Sequence, residues 1–240
     1  MNQYYNNNSG FSNVMPGAVA QTDVRSFMLR VYNWMAMGLA ITGLVSFAVS
    51  TSDELIELFI MNRIMFYGLL IAQVAMVFGI SAAINKIPSI VAVGGFFLYS
   101  FLNGLTLSVI FLLYTSASIY TTFFVCAGMF GTVSVLGYIT KMDLSKMGSF
   151  LMMALIGLIL ASVANWFISS PTLYWIISYA GVLIFVGLTA YDTQKIKKIA
   201  MSIDANSEEG KKGAIIGALQ LYLDFINMFL FLLRIMGNRR

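Results

Sequence analysis

Seven runs of roughly 20 apolar residues recur along this chain, and they constrain its fold more than any other feature. They fall at about 28–50, 64–84, 89–113, 119–140, 147–168, 172–193 and 214–236. In hydrocarbon every backbone N–H and C=O must find its partner within the protein, so such runs form either helices or closed barrels. Barrel strands would be shorter and would alternate in polarity, and no such pattern is present. The expected fold is therefore an all-α integral membrane protein, a bundle of seven transmembrane helices. Composition agrees: 59% of residues are hydrophobic, only 10% are charged, and the mean hydropathy is +0.84, beyond what a soluble domain of 240 residues tolerates.

Residues 1–26, with YYNNNSGFSN and Pro16, are Asn- and Ser-rich and read as a disordered polar tail. Residues 27–240 read as a single transmembrane domain. No cleaved signal peptide is expected, because the first span, FMLRVYNWMAMGLAITGLVSFAVS, is long enough to act as a retained signal-anchor. Connections are short, except for one expected to run from Asp192 to about Gly213.

Loop charges set the orientation. With the N-terminus in the cytoplasm, the inner side collects Arg25, Arg30, Lys86, Lys141, Lys146, Lys195, Lys197, Lys198, Lys211 and Lys212. The outer side holds Arg63, a residue expected to snorkel, and the acids Asp53, Glu54 and Glu57. Seven full crossings leave Arg239 and Arg240 outside; a re-entrant last segment would return them. The length of 214–236 favours a crossing.

Absent residues narrow the chemistry. There is no histidine, which excludes a Ser-His nucleophilic centre, a His-ligated metal site and a histidine pH switch. Cys126 is alone, so no intramolecular disulfide or cysteine metal cluster forms, and in FFVCAGMF it reads as a small buried apolar residue. The glycines lie within spans, where they let helices approach, rather than in a phosphate-binding loop. No nucleic-acid partner and no resident cofactor are expected.

Ionisable groups inside apolar spans are costly and mark function. Two aspartates qualify, Asp192 in GLTAYDTQKIK and Asp224 in LQLYLDFINMFLFLLRIMG. In the last span Gln220, Asp224, Asn227 and Arg234 follow steps of four, three and seven, which puts them on one helical stripe. Such a stripe belongs in the centre of the bundle or along a cavity, either as a functional surface or as hydrogen-bonding glue between helices. The sixth span has a weaker stripe, Ser178, Gly181, Thr189 and Asp192, and Asp192 alone also fits an interfacial carboxylate followed by lysines. On these boundaries the two aspartates differ in depth by about 10–15 Å, a gap that tilt or an extended sixth helix must close.

Two carboxylates meeting in a low-dielectric site cannot both ionise cheaply and tend to share a proton. Deprotonated, they offer oxygens to a hard cation such as Ca²⁺, which tolerates irregular geometry better than Mg²⁺. Protonated, they lose the charge and tie two helices together. One site then serves as proton sensor and as a transient Ca²⁺ site.

The segments GLTAYDTQKIK and LYLDFINMFLFLLRIMG resemble the C-terminal signature of the Bax inhibitor-one family, also called the transmembrane Bax inhibitor motif proteins. FMLRVYNWMAMGLAITG is similar to that family's first span. The resemblance covers the chain after the tail. It implies a seven-helix fold with the last helix central, a paired-aspartate pH sensor matching Asp192 and Asp224, a family arginine matching Arg234, and a passive Ca²⁺ leak with Ca²⁺ and protons as its ligands. Some members carry an acid in the second span that pairs with the late arginine. This chain has Gln73 there, a candidate either for pore support or for helix glue.

Other readings stay open beside the leak channel. One is a proton-coupled Ca²⁺ exchanger. Another is a regulatory protein acting on a membrane partner, such as a quality-control protease or a cell-death regulator. Aspartyl intramembrane proteases share a YD motif, but the sequence before Asp224 departs from their GxGD and no PAL motif follows, so no enzyme is expected. The expected location is a bacterial cytoplasmic membrane.

Overall fold

The computed structural model describes residues 16–240, with side chains from Asp23 onward. The described residues form helices α1 (Pro16–Ser50), a short α2 (Asp53–Ile56) that runs into a π-helical turn at Glu57–Met61, α3 (Arg63–Ala83), α4 (Ser89–Leu107), α5 (Val109–Leu113), α6 (Ser116–Ile139), α7 (Ser145–Ile168), α8 (Pro171–Ala200) and α9 (Glu208–Met236). Seven helical stretches are long and apolar enough to cross a membrane, α4 and α5 together making one. The chain is an integral membrane protein. α1 begins at Pro16, inside the segment read as tail; residues 1–15 of that segment lie outside the described residues.

Local chemistry sets the helix ends. Asn62 Oδ1 accepts from the amides of Ile64 and Met65 and starts α3, and Thr115, Ser170 and Ser207 cap α6, α8 and α9 in the same way. Pro171 occupies the first turn of α8, where its missing N–H costs nothing. Ser169, with φ 53°, closes α7 in the left-handed conformation.

The sequence boundaries need one correction. α8 does not stop near residue 193 but continues to Ala200, and α9 starts at Glu208 rather than 214, which leaves a connection of only Met201–Ser207. A hydropathy window stops at the lysines of QKIKKIA. The helix continues because Ile196 and Ala200 are buried on its inward face, while the lysine ammonium groups reach polar partners outside: Lys197 Nζ donates to the Tyr138 carbonyl at 2.8 Å and Lys198 Nζ pairs with Asp143 at 2.5 Å. That ammonium and the Ser145 hydroxyl hold the exposed Asp143 carboxyl down to about 2.

α9 packs on α1, α4, α6 and α8, and 72% of its apolar window is buried against 17% for α3 and α7. A polar clasp ties three of these helices. Tyr222 of α9 shares a hydrogen bond with Thr42 of α1 at 2.6 Å and accepts from Asn103 of α4 at 2.9 Å, and Thr42 also donates to the Ser100 carbonyl. The ends of α9 lie at opposite faces of the bundle. Glu208 accepts from Ser89 at the start of α4, whereas the Asn238 amide donates to Ser118 at the start of α6 and Arg240 N–H to the Leu113 carbonyl. The last helix thus runs from one face of the bundle to the other.

Candidate functional site: a carboxyl pair between the last two helices

Glycines fix the register of α8 against α9. Gly217 seats Ile196, and Gly181 seats the ring of Phe231. In this antiparallel register Asp192 is level with Gln220, and Asp224 with Leu188 and Thr189. The two aspartates are then about one turn apart in height, ~5 Å. Helical side chains lean toward the N-terminus of their own helix, so in an antiparallel pair offset in this sense the two carboxyls lean toward each other. Both side chains reach the same crevice between α7, α8 and α9. The 10–15 Å depth gap expected from the sequence shrinks to about 5 Å because both helices extend beyond the apolar windows.

Asp224 is 4% exposed, and its Oδ2 meets no donor among the described residues. An ionised carboxylate only accepts hydrogen bonds, and leaving one buried without a donor is costly. Asp192 is partly exposed. Both line a cavity of about 480 Å³ between α7, α8 and α9, with Gln220, Asn227 and apolar walls including Leu158 and Phe185. The Asn227 amide nitrogen donates to the Leu223 carbonyl at 2.8 Å, which leaves its oxygen available to the cavity. The carboxylates and the amide oxygens form a loose oxygen set. No group of three or more His, Cys, Asp or Glu side chains is gathered among the described residues. Such a set falls short of the six to eight oxygen ligands that a resident Ca²⁺ takes.

The last-span stripe therefore divides. Gln220, Asp224 and Asn227 share the cavity, whereas Arg234 lies about 15 Å further along α9. It is exposed there, with its guanidinium 5.1 Å from the Phe231 ring centroid and 5.7 Å from that of Tyr174. Gln73 supports neither the cavity nor Arg234. It is buried against α4, donating to the Leu102 carbonyl and to Thr106 Oγ1, both at 3.0 Å, because a buried amide takes the nearest acceptors on the helix it packs against. Gln73→Leu is expected to lower thermal stability by about 0.6–2 kcal/mol, the range of interhelical hydrogen bonds in membranes. A melting midpoint equal to the parent's would show that these two bonds do not hold α3 to α4. Cys126 is buried, its thiol 3.7 Å from the Phe225 carbonyl. Ser178 and Thr189 hydrogen-bond within α8.

Lys195 is one turn beyond Asp192 on α8. Sequence reasoning passed over one site residue. Ser162 of α7 lines both the carboxyl cavity and a second one, of about 420 Å³, toward the opposite face, and no pattern in its span distinguishes it.

The family model described as inhibitor of apoptosis-promoting Bax1 matches residues 24–240. The chain belongs to the Bax inhibitor-one family. Its relatives include the Inner membrane protein YbhL of Escherichia coli K12, 51% identical over 228 residues that cover 95% of this chain and 96% of that protein. A protein of Borreliella burgdorferi is 44% identical over 89% of this chain and 92% of its own. A membrane protein of Streptococcus pyogenes serotype M1 is 36% identical, covering 91% and 96%. The match to the Bax inhibitor-one model takes in every helix that lines the carboxyl cavity, α7, α8 and α9.

Proposed function

We propose that this Bax inhibitor-one protein is a pH-sensitive, Ca²⁺-permeable leak pathway whose sensor and gate is the Asp192–Asp224 pair. The observation that carries the reading is a buried carboxyl oxygen without a donor, facing a second carboxyl in a crevice between three helices. A proton gained by the pair supplies the missing donor and joins α8 to α9. Its loss leaves two like charges in a poorly screened site, which separates the helices or recruits a cation. Gln220 and Asn227 extend the oxygen surface along the route, and Lys195 moderates the negative charge. The reading is of a conduit, not an enzyme, with Ca²⁺ and protons as cargo and signal. The clustering of lysines at one face and the name of the E. coli relative support a bacterial inner membrane with the N-terminus inside.

The test is Ca²⁺ flux into proteoliposomes containing the purified full chain across a range of pH, comparing the parent with Asp192→Asn. The expected result is flux down the Ca²⁺ gradient that changes with pH in the parent and loses that change in the variant. Flux driven uphill by an imposed pH gradient would replace a leak with an exchanger. No flux under any condition would leave a regulatory role on a membrane partner.

A further inference from the structure

At the face opposite the lysines, the ends of four helices surround the second cavity. Arg234 and Arg239 line it with Asn165 and Trp166 of α7, Tyr174 of α8 and Tyr114 beyond α5. Both arginines are exposed, and neither forms an ion pair among the described residues. The acids of that face, Asp53, Glu54 and Glu57, are on α2 and its π turn, outside the cavity. Held by aromatic rings instead of carboxylates, the guanidiniums stay together. Arg239 donates to the Tyr174 hydroxyl at 3.0 Å and lies 5.9 Å from the Tyr114 and Tyr174 ring centroids, and Arg234 lies over Tyr174 and Phe231. The C-terminal backbone fixes Arg239 in place by pairing with the α5–α6 connection, Thr115 N–H to the Asn238 carbonyl at 3.1 Å and Arg240 N–H to the Leu113 carbonyl at 3.0 Å. Asn165 spends its Oδ1 on the Ser170 amide at 3.0 Å, so its NH₂ remains as a further donor. The cavity is thus lined by positive charge and donors and holds no carboxylate.

Its depth points to the ligand. Trp166, Phe167, Trp175 and Tyr179 are exposed around the same helix ends, the arrangement of an aromatic belt at the level of lipid head groups. Arginine forks match phosphate oxygens bidentately, and a phosphodiester head group at this depth presents those oxygens.

We infer that the cavity formed by Arg234, Arg239, Asn165 and Tyr174 binds the phosphate of an anionic phospholipid head group. The bound phosphate neutralises the two guanidiniums and bridges α7, α8 and the C-terminus. This inference does not rest on the carboxyl pair.

Native mass spectrometry of the purified full chain, titrated separately with phosphatidylglycerol, phosphatidylcholine and inorganic phosphate, tests it. The parent is expected to prefer phosphatidylglycerol over phosphatidylcholine. Arg234→Gln combined with Arg239→Gln is expected to weaken phosphatidylglycerol binding by about thirtyfold, the effect of removing two interfacial cations. Lys211→Gln with Lys212→Gln, at the other face, should leave it unchanged. Displacement of the lipid by millimolar inorganic phosphate would keep the anion site and make its occupant soluble phosphate. The single variant Arg234→Gln, which changes only an exposed side chain, serves if the double variant does not fold. A phosphatidylglycerol preference unchanged by the arginine substitutions, or lost equally on substitution of the lysines, would overturn the inference.

Discussion

Asp224→Asn is expected to flatten the pH profile of Ca²⁺ flux while leaving a folded protein. Asparagine keeps the size of the side chain but cannot ionise, so the pair with Asp192 can no longer exchange a shared proton for two like charges. A one-proton gate changes flux by about threefold per pH unit at its midpoint and approaches about tenfold per unit well beyond it; the variant should show neither slope. The cavity walls do not depend on the charge, since α8 is held on α9 by the Ile196–Gly217 and Phe231–Gly181 contacts and α9 on α1 and α4 by the Tyr222 clasp. Its thermal midpoint in detergent at acid pH should therefore match the parent's, which separates loss of sensing from loss of fold. A variant that keeps the parental pH profile would refute the assignment of Asp224, whatever its overall flux.

A large loss of stability is expected on filling Gly137. This residue brings α6 against the backbone of α8 near Ala190, two residues before Asp192. A Cβ built there would lie 2.9 Å from the Ala190 Cα and closer still to its carbonyl oxygen. Backbone cannot rotate away as a side chain can, so Gly137→Val must separate the helices. Overpacking of this kind costs about 1–3 kcal/mol and at times more, and the separation also breaks the Ser134–Thr193 hydrogen bond of 2.9 Å one turn along. Gly157, with open space around its Cβ position, is the matched control. A melting experiment that finds Gly137→Val and Gly157→Val equally stable would show that α6 and α8 do not approach as closely as described.

Much of the bundle could be read from the chain because lipid is a demanding solvent. A span must be apolar for about 20 residues, so its length is written in hydropathy, and all seven spans fall where the apolar runs lie. The helix ends were less legible. Lys195, Lys197 and Lys198 ended the apolar run, but a long amphipathic side chain lets a helix continue past the membrane edge, and that extension brought Asp192 to the level of Gln220. The polar stripe of α9 was half informative. Helical periodicity places Gln220, Asp224, Asn227 and Arg234 on one face, but a stripe about 20 Å long passes through different surroundings along the membrane normal. Its first three residues reach the carboxyl cavity, and Arg234 reaches the aromatic cavity beyond. Gln73 has no periodic partner, so nothing in the sequence could tell a pore residue from one that binds the neighbouring helix.

The sequence by itself determined the solvent, the number of crossings and the two acids that hydrocarbon would not tolerate without a use, because each follows from transfer free energies of single residues. Which residues meet was decided only in three dimensions. Gly137, Gly148, Gly181 and Gly217 set how closely helices approach and at what register, and such contacts depend on pairs of residues far apart in the chain. Only that packing turned Asp192 and Asp224 toward each other and gathered Arg234 and Arg239 with Asn165 and two tyrosines at the opposite face.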